Sequence, residues 1–312
     1  MNTKILLVGC GYWGKNWYNT IKNSEYELVG VVDPNPIIEV DVPIFNTLQS
    51  VDVDYTHIIL SIPPEHIGKA LGYENLYGTS YVRNTTLDSS KILIEKPCGV
   101  SKEDVLGLGD FYPGFIFLNS PQYKYIKDNI SDIGKPLFFN STRASMGPRI
   151  RTDVSILEDY LIHDLYIFMG LFGNDISVEN VSMSNTFKNP VKNDTINLTL
   201  NSNGVRADMF SSWWFPHKTR KLFIVGDKGS FIWEDENLSF FNGYYKEIDT
   251  MDKHRNVGYE LVDGEHSSYI TFPMYKSNLE LELDNFINNK KLDVTALDVW
   301  NLIEDIKNAK KP

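Results

Sequence analysis

The stretch that decides the fold is Lys4-Ile5-Leu6-Leu7-Val8-Gly9-Cys10-Gly11-Tyr12-Trp13-Gly14. A short apolar run ends in G-x-G-x-x-G, and Tyr12 to Asn23 continues with helical character, so the order is strand, tight turn, helix. In such a turn Gly9 permits the sharp bend, Gly11 lets the backbone approach a pyrophosphate, and Gly14 allows close helix packing, while the helix N-terminus favours negative charge. A second apolar run, Glu27 to Asp33, places Asp33 19 residues after Gly14. That is where a carboxylate accepts the ribose hydroxyls of a dinucleotide. A 2′-phosphate would meet this carboxylate, and Pro34-Asn35-Pro36 offers no arginine to offset it, so NAD is expected over NADP. Tyr12 and Trp13 are candidates to shield the pyrophosphate, with packing at the helix start the favoured alternative.

Outward from this core, His57 to Ser61 and Lys91 to Glu95 read as further buried strands, and Phe115 to Leu118 as the last one, entered through Pro113-Gly114. The alternation of strand and helix predicts a parallel sheet. After residue 118 the texture changes to period-2 segments at 137–145, 176–185, 195–201, 205–212, 220–225 and 230–234, which predict a mainly antiparallel sheet with one open face. Helices are expected at 156–171, 279–288 and 296–309, the last with Val299, Leu302, Ile303 and Ile306 on one side. The expected fold is therefore α/β, with a Rossmann domain over 1–118 and a substrate-binding, self-associating α/β domain over 119–312.

Composition narrows the functions. The 312 residues carry a net charge of −11, which argues against binding a nucleic-acid backbone. Cys10 and Cys98 stand alone, without the spacing of a zinc site or a disulfide framework, so no metal is expected and a reducing cytoplasm fits. Leu7-Val8-Gly9-Cys10 has the residue types of a lipoprotein cleavage box, but Ile5 to Val8 falls short of the roughly 7–15 apolar residues of a signal segment. No run approaches the ~18 residues of a membrane span.

Candidate chemistry gathers at strand ends. Ser61-Ile62-Pro63-Pro64 with His66 follows one strand, and Glu95-Lys96-Pro97 the next, at the carboxyl edge where open α/β sheets bind ligands. Lys96 is expected to project toward the nicotinamide, and Ser61, Pro63, His66 and Glu95 to line the cofactor. In the 156–171 helix Asp159 and His163 stand four apart, so a carboxylate can orient an imidazole whose pKa lies near neutrality.

Together these motifs resemble the glucose-fructose oxidoreductase / inositol dehydrogenase family over nearly the whole chain. The resemblance extends to Trp213-Trp214-Phe215-Pro216 and the segment Arg220 to Gly229. Gly11-Tyr12-Trp13-Gly14-Lys15-Asn16, with Met146 to Asp153, is similar to a subgroup linked with nucleotide sugars. What the resemblance implies is hydride transfer between NAD and a carbinol of a sugar, nucleotide sugar or cyclitol. His163 would be the general acid/base, Lys96 would bind the reacting oxygen or exchange roles with it, and Asp159 would position substrate or His163. It also implies substrate contacts at Asn119, Tyr123 and Lys124, and a carboxylate or diphosphate clamp of Arg143, Arg149 and Arg151. The segment Gly78 to Ser90 departs from the family's usual Ala/Gly-rich helix. Two other readings keep the fold: an NAD-binding regulator without turnover, and an enzyme that recycles its NAD internally, of glycosidase or dehydratase type.

Overall fold

A computed structural model describes residues 3–72, 88–146, 151–186, 193–248, 258–272 and 276–309. Arg149 and most of the Gly78 to Ser90 segment lie outside the described residues. The chain packs as two units, Met1–Ser120 with Met274–Glu304, and Pro121–Pro273 with Asp305–Pro312.

The first unit is built on β1 (Lys4–Val8), α1 (Gly14–Lys22), β2 (Glu27–Val32), β3 (Ile44–Phe45), β4 (His57–Leu60), α2 (Ile67–Leu71), β5 (Ile92–Glu95), α3 (Lys102–Leu108) and β6 (Tyr112–Gly114). All pairs are parallel in the order β3-β2-β1-β4-β5-β6. Direction along the sheet reverses between β1 and β4, so the crevice beyond their carboxyl ends is the natural ligand position. The centres of β1, β4 and β5 are buried on both faces, which is why they read as unbroken apolar runs. Two expectations need correction. The last strand is Tyr112–Gly114, and residues 116–119 form a 3-10 turn instead; Pro113 is tolerated because β6 is the sheet edge, where no ladder donor is lost. The two-residue β3 carried too little periodicity to be seen.

The second unit opens with α4 (Pro121–Asp128) and β7 (Pro136–Ala144), followed by α5 (Ile162–Phe172). Strands β8 (Ile176–Ser184), β9 (Thr195–Ser202), β10 (Val205–Ser212), β11 (Thr219–Gly226), β12 (Gly229–Glu234), β13 (Asn237–Ile248) and β14 (Gly258–Ile270) complete it. The eight strands run β14-β13-β12-β11-β7-β10-β9-β8, antiparallel except for β7 with β10. One face packs on α5 through Phe139 and Phe168, whose rings lie 5.2 Å apart. On the other face Val225, the register partner of Phe138, remains exposed. β13 and β14 were not expected, because interspersed Asn, Gly, Lys and Glu break their alternation.

Helices α6 (Asn278–Ile287) and α7 (Ala296–Ala309) have the expected bounds to within a residue. Their placement differs from the expected division at residue 118. Leu279, Leu283 and Phe286 enter the same apolar cluster as Trp17, Tyr18, Ile21, Leu28 and Ile59, so α6 belongs with the parallel sheet. The Trp300 indole N–H donates to the Pro97 carbonyl at 2.7 Å, tying α7 to the turn after β5.

Candidate functional site

In the first unit the glycine turn has the predicted division of labour. Gly9 sits at φ +91°, and a Cβ there would lie 2.4 Å from the Ser61 carbonyl oxygen; one on Gly14 would lie 2.1 Å from the Gly9 oxygen. Both positions are closed to larger residues by the protein's own backbone. Gly11 is different, because a Cβ there would meet nothing within 4 Å. Its absence of a side chain serves no packing, and the cradle fits a ligand that approaches the backbone. Asp33 stands beside it: its carboxylate accepts the Cys10 N–H at 2.7 Å and the Asn35 N–H at 2.8 Å. Tyr12 is 57% exposed with the Lys15 ammonium 5.3 Å from its ring centroid, so the favoured packing role is corrected.

Ser61 abuts Gly9 through its backbone and Gly14 through its hydroxyl, and Pro63 and His66 lie on the exposed turn leading into α2. Lys96 is half-buried at the turn after β5, where the Lys96–Pro97 peptide is cis and the Cys98 N–H closes onto the Glu95 carbonyl at 3.0 Å. Glu95 does something the sequence reading missed. Its Oε1 accepts the indole N–H of Trp13 at 2.5 Å and of Trp17 at 2.7 Å. Burial pushes the Glu95 carboxyl upward, against the pull of the two indoles and Lys96. Fully buried Glu282 on α6 is pushed up further, first by burial and then by Glu95.

Asn119 does not face a substrate. Its amide oxygen accepts from the Tyr112 hydroxyl at 2.9 Å and the Asn285 amide at 2.8 Å, and its nitrogen donates to Phe115 and Glu282. An open cavity of about 420 Å³ touches Lys4, Glu27 and Asp54. It sits at the starting ends of β1 and β2, the wrong edge of the sheet for a cofactor.

In the second unit the expected 156–171 helix begins as a π-helical turn, Leu157–Leu161, before α5 takes over at Ile162. The wider turn alters the simple i,i+4 alignment expected of Asp159 and His163, and such insertions are frequent at functional sites. Asp159 is buried, accepts the Trp213 indole N–H at 3.2 Å and lies 3.7 Å from Arg151, which is also bound by Asp153. His163 is half-buried, with its Nδ1 2.7 Å from the Tyr166 hydroxyl. When Nδ1–H donates to that hydroxyl, Nε2 is left with a free lone pair that can take up a proton and later return it.

The arginine clamp is corrected. Arg143 is buried, and its Nε and Nη2 donate to one oxygen of Asp164 at 3.1 and 2.7 Å, so it neutralises an interior carboxylate. Arg151 is likewise engaged by acids. Tyr123 is buried on α4, its hydroxyl filling the space above Gly170, and Lys124 is exposed. The cation that the clamp reasoning passed over is Arg220, which is exposed on β11 directly opposite Arg143. Opposite residues of an antiparallel pair share a face. Arg220 is therefore on the side of α5, where burial and then the Arg143 charge push its guanidinium pKa below the ordinary value, against the pull of Asp235, Tyr160 and Asp164.

Among the described residues, no group of three or more His, Cys, Asp or Glu is placed to hold a metal ion, and no helix is long and apolar enough to cross a membrane. Cys10 and Cys98 are free thiols, both buried.

A dinucleotide-type parallel sheet with its glycine turn and strand-end acid, followed by a large, mostly antiparallel sheet domain, defines a two-domain oxidoreductase fold. Residues 149–297 match the oxidoreductase family's C-terminal alpha/beta domain. The UDP-N-acetylglucosamine 3-dehydrogenase of Acidithiobacillus ferrooxidans superposes with a TM-score of 0.71 at 17% identity, covering 99% of this chain and 98% of that one. A 3-ketoreductase from Actinomadura kijaniata in complex with TDP-benzene and NADP gives 0.74 at 11%, covering 99% and 98%. A Clostridium difficile dehydrogenase gives 0.72 at 16%, covering 99% and 100%. At these identities the likeness establishes the fold. No curated protein matches the sequence.

Proposed function

We propose that the protein is an NAD-dependent oxidoreductase acting on a carbinol of a sugar, with a nucleotide sugar as the favoured substrate class. The observation that carries the reading is the uncovered backbone at Gly11 beside the Asp33 carboxylate, at the sheet's switch point. The C-terminal domain match supports oxidoreductase chemistry, and a UDP-sugar dehydrogenase and an NADP-bound ketoreductase among the structural relatives support the substrate and cofactor class.

Gly9, Gly11 and Gly14 would hold the pyrophosphate and Asp33 the adenosine ribose, a carboxylate that disfavours a 2′-phosphate and so NADP. When bound, the nicotinamide supplies the hydride acceptor or donor. Lys96 would hydrogen-bond the reacting oxygen. His163, with Nδ1 held at the Tyr166 hydroxyl, would take up or release the hydroxyl proton at Nε2. Asp159 is held by Trp213 and would orient substrate or His163. The exposed face of the β7–β14 sheet is the surface through which two copies would associate, as apolar sheet faces commonly do.

Mass spectrometry of small molecules released from the denatured protein, followed by NADH absorbance with UDP-sugars, hexoses and inositols, tests the proposal. Recovered NAD and absorbance growth with one substrate class support it. Bound NAD without net NADH favours internal recycling or the regulatory reading, and a protein that neither holds nor binds a nicotinamide overturns the cofactor assignment. Lys96→Ala or His163→Ala protein that binds NAD but has lost turnover would eliminate the regulator.

A further inference from the structure

We propose that Glu95 is the positioning residue of the cofactor turn, holding the first turn of α1 against the end of β5 through the Trp13 and Trp17 indoles. This goes beyond, and rests on, the reading that the glycine turn binds NAD. Three observations carry it. First, one carboxylate oxygen receives two N–H donors, at 2.5 and 2.7 Å, from residues four apart on one helix face. Hydrogen bonds to an ionised acceptor are about twice as strong as neutral ones. Second, the space for the carboxylate is built: Glu95 pairs with Gly114 on β6, where a Cβ would come within 3.0 Å of the Glu95 Cα and 3.1 Å of its Oε2. Third, the elements joined are the ones that matter. Trp13 lies inside the glycine motif and caps α1, while Lys96 is the next residue after Glu95. β1 and β5 do not pair directly, since β4 lies between them. The Trp–Glu95–Trp tie therefore spans the crevice strand and sets the spacing between the phosphate-binding turn and the β5 end.

Trp17 is fully buried, whereas Trp13 is 40% exposed beside the turn. That exposed indole face is held still by its N–H, which makes it a fixed wall and not a mobile flap. Glu95 thus acts through the tryptophans; the expectation that it contacts the cofactor itself predicts something different for the variants below.

The test compares Glu95→Ala, Glu95→Gln, Trp13→Phe and Trp13→Phe/Trp17→Phe in the full chain. NAD affinity is read by titration calorimetry, and the indole N–H resonances by nitrogen-edited NMR, assigned with the Trp→Phe variants. Positioning predicts that the Trp13 and Trp17 indole signals shift upfield in Glu95→Ala. It also predicts that Glu95→Ala and the double Trp variant each weaken NAD binding about tenfold without adding when combined, and that Glu95→Gln, which retains an acceptor oxygen, recovers most of the affinity. Trp13→Phe, at a partly exposed position, keeps the test valid should loss of buried Trp17 unfold the protein: it alone must weaken NAD binding. Normal affinity in Trp13→Phe and the double variant, with loss in Glu95→Ala, would mean direct contact and overturn the proposal. So would unshifted indole signals. If the wild-type protein itself binds no NAD, the cofactor reading fails before any variant is compared, and the two failures are thereby distinguished.

Discussion

Arg143 on β7 and Arg220 on β11 are register partners across an antiparallel pair, and the buried carboxylate beside them, Asp164, binds Arg143. Two guanidinium groups directly opposite repel. Neutralising one with Asp164 leaves the positive field of the pair to be expressed at exposed Arg220. If the substrate carries a diphosphate, Arg220→Met should weaken its binding about tenfold, the order of one charged hydrogen bond, with neutral inositols unaffected and the melting temperature unchanged. Equal loss for charged and neutral substrates in steady-state kinetics would remove Arg220 from anion recognition.

Gly11→Ala and Gly14→Ala should separate binding from folding. An added methyl at Gly14 meets the Gly9 oxygen at 2.1 Å, so destabilisation of about 1–3 kcal/mol is expected in urea melts. The same methyl at Gly11 meets no protein atom, and stability should stay within about 0.5 kcal/mol while NAD binding is lost. Unimpaired NAD binding by Gly11→Ala would show that the open space there is not the cofactor's.

His57 lies buried on β4, edge-on to Phe286 at 5.4 Å, and burial lowers its pKa from 6.5 to about 4. Because its folded pKa lies below its unfolded one, the unfolded chain takes up the proton first as pH falls. Stability is therefore lost between about pH 6.5 and 4. His57→Leu should flatten that part of the stability profile; thermal melts in which both proteins decline in parallel would place the acid sensitivity elsewhere.

Glu282 has the opposite sign. Burial and Glu95 raise its folded pKa above the ordinary 4.5, so stability declines as pH rises from that value toward the folded pKa. Relative to wild type, Glu282→Gln should gain melting temperature progressively as pH rises above 4.5. A difference that does not change with pH would mean that Glu282 ionises normally in the fold.

Much of this protein is legible residue by residue. The glycine turn announces itself because strand, turn and helix are contiguous, and each glycine answers a local backbone demand. Asp33 follows at the end of the next strand. Regular alternation marks β7 to β12, and helical spacing marks α7 to the residue. Where periodicity is weak, in β3, β13 and β14, or where a proline sits on an edge strand, local pattern is silent or misleading.

What only the tertiary structure decided are the partnerships between residues distant in sequence. Lys96 was visible as a lysine at a strand end, but nothing within the turn says that Glu95 receives indoles from 82 and 78 residues away. Arg143 and Asn119 looked available for substrate until folding supplied Asp164 to one and Tyr112, Asn285 and Glu282 to the other. The allocation of α6 to the parallel sheet is of the same kind. Periodicity reports which side of an element is apolar, whereas the identity of the surface it covers depends on chain topology. Local sequence thus determined the elements and the cofactor turn, and three-dimensional packing determined which polar groups are already satisfied and which remain to meet a ligand.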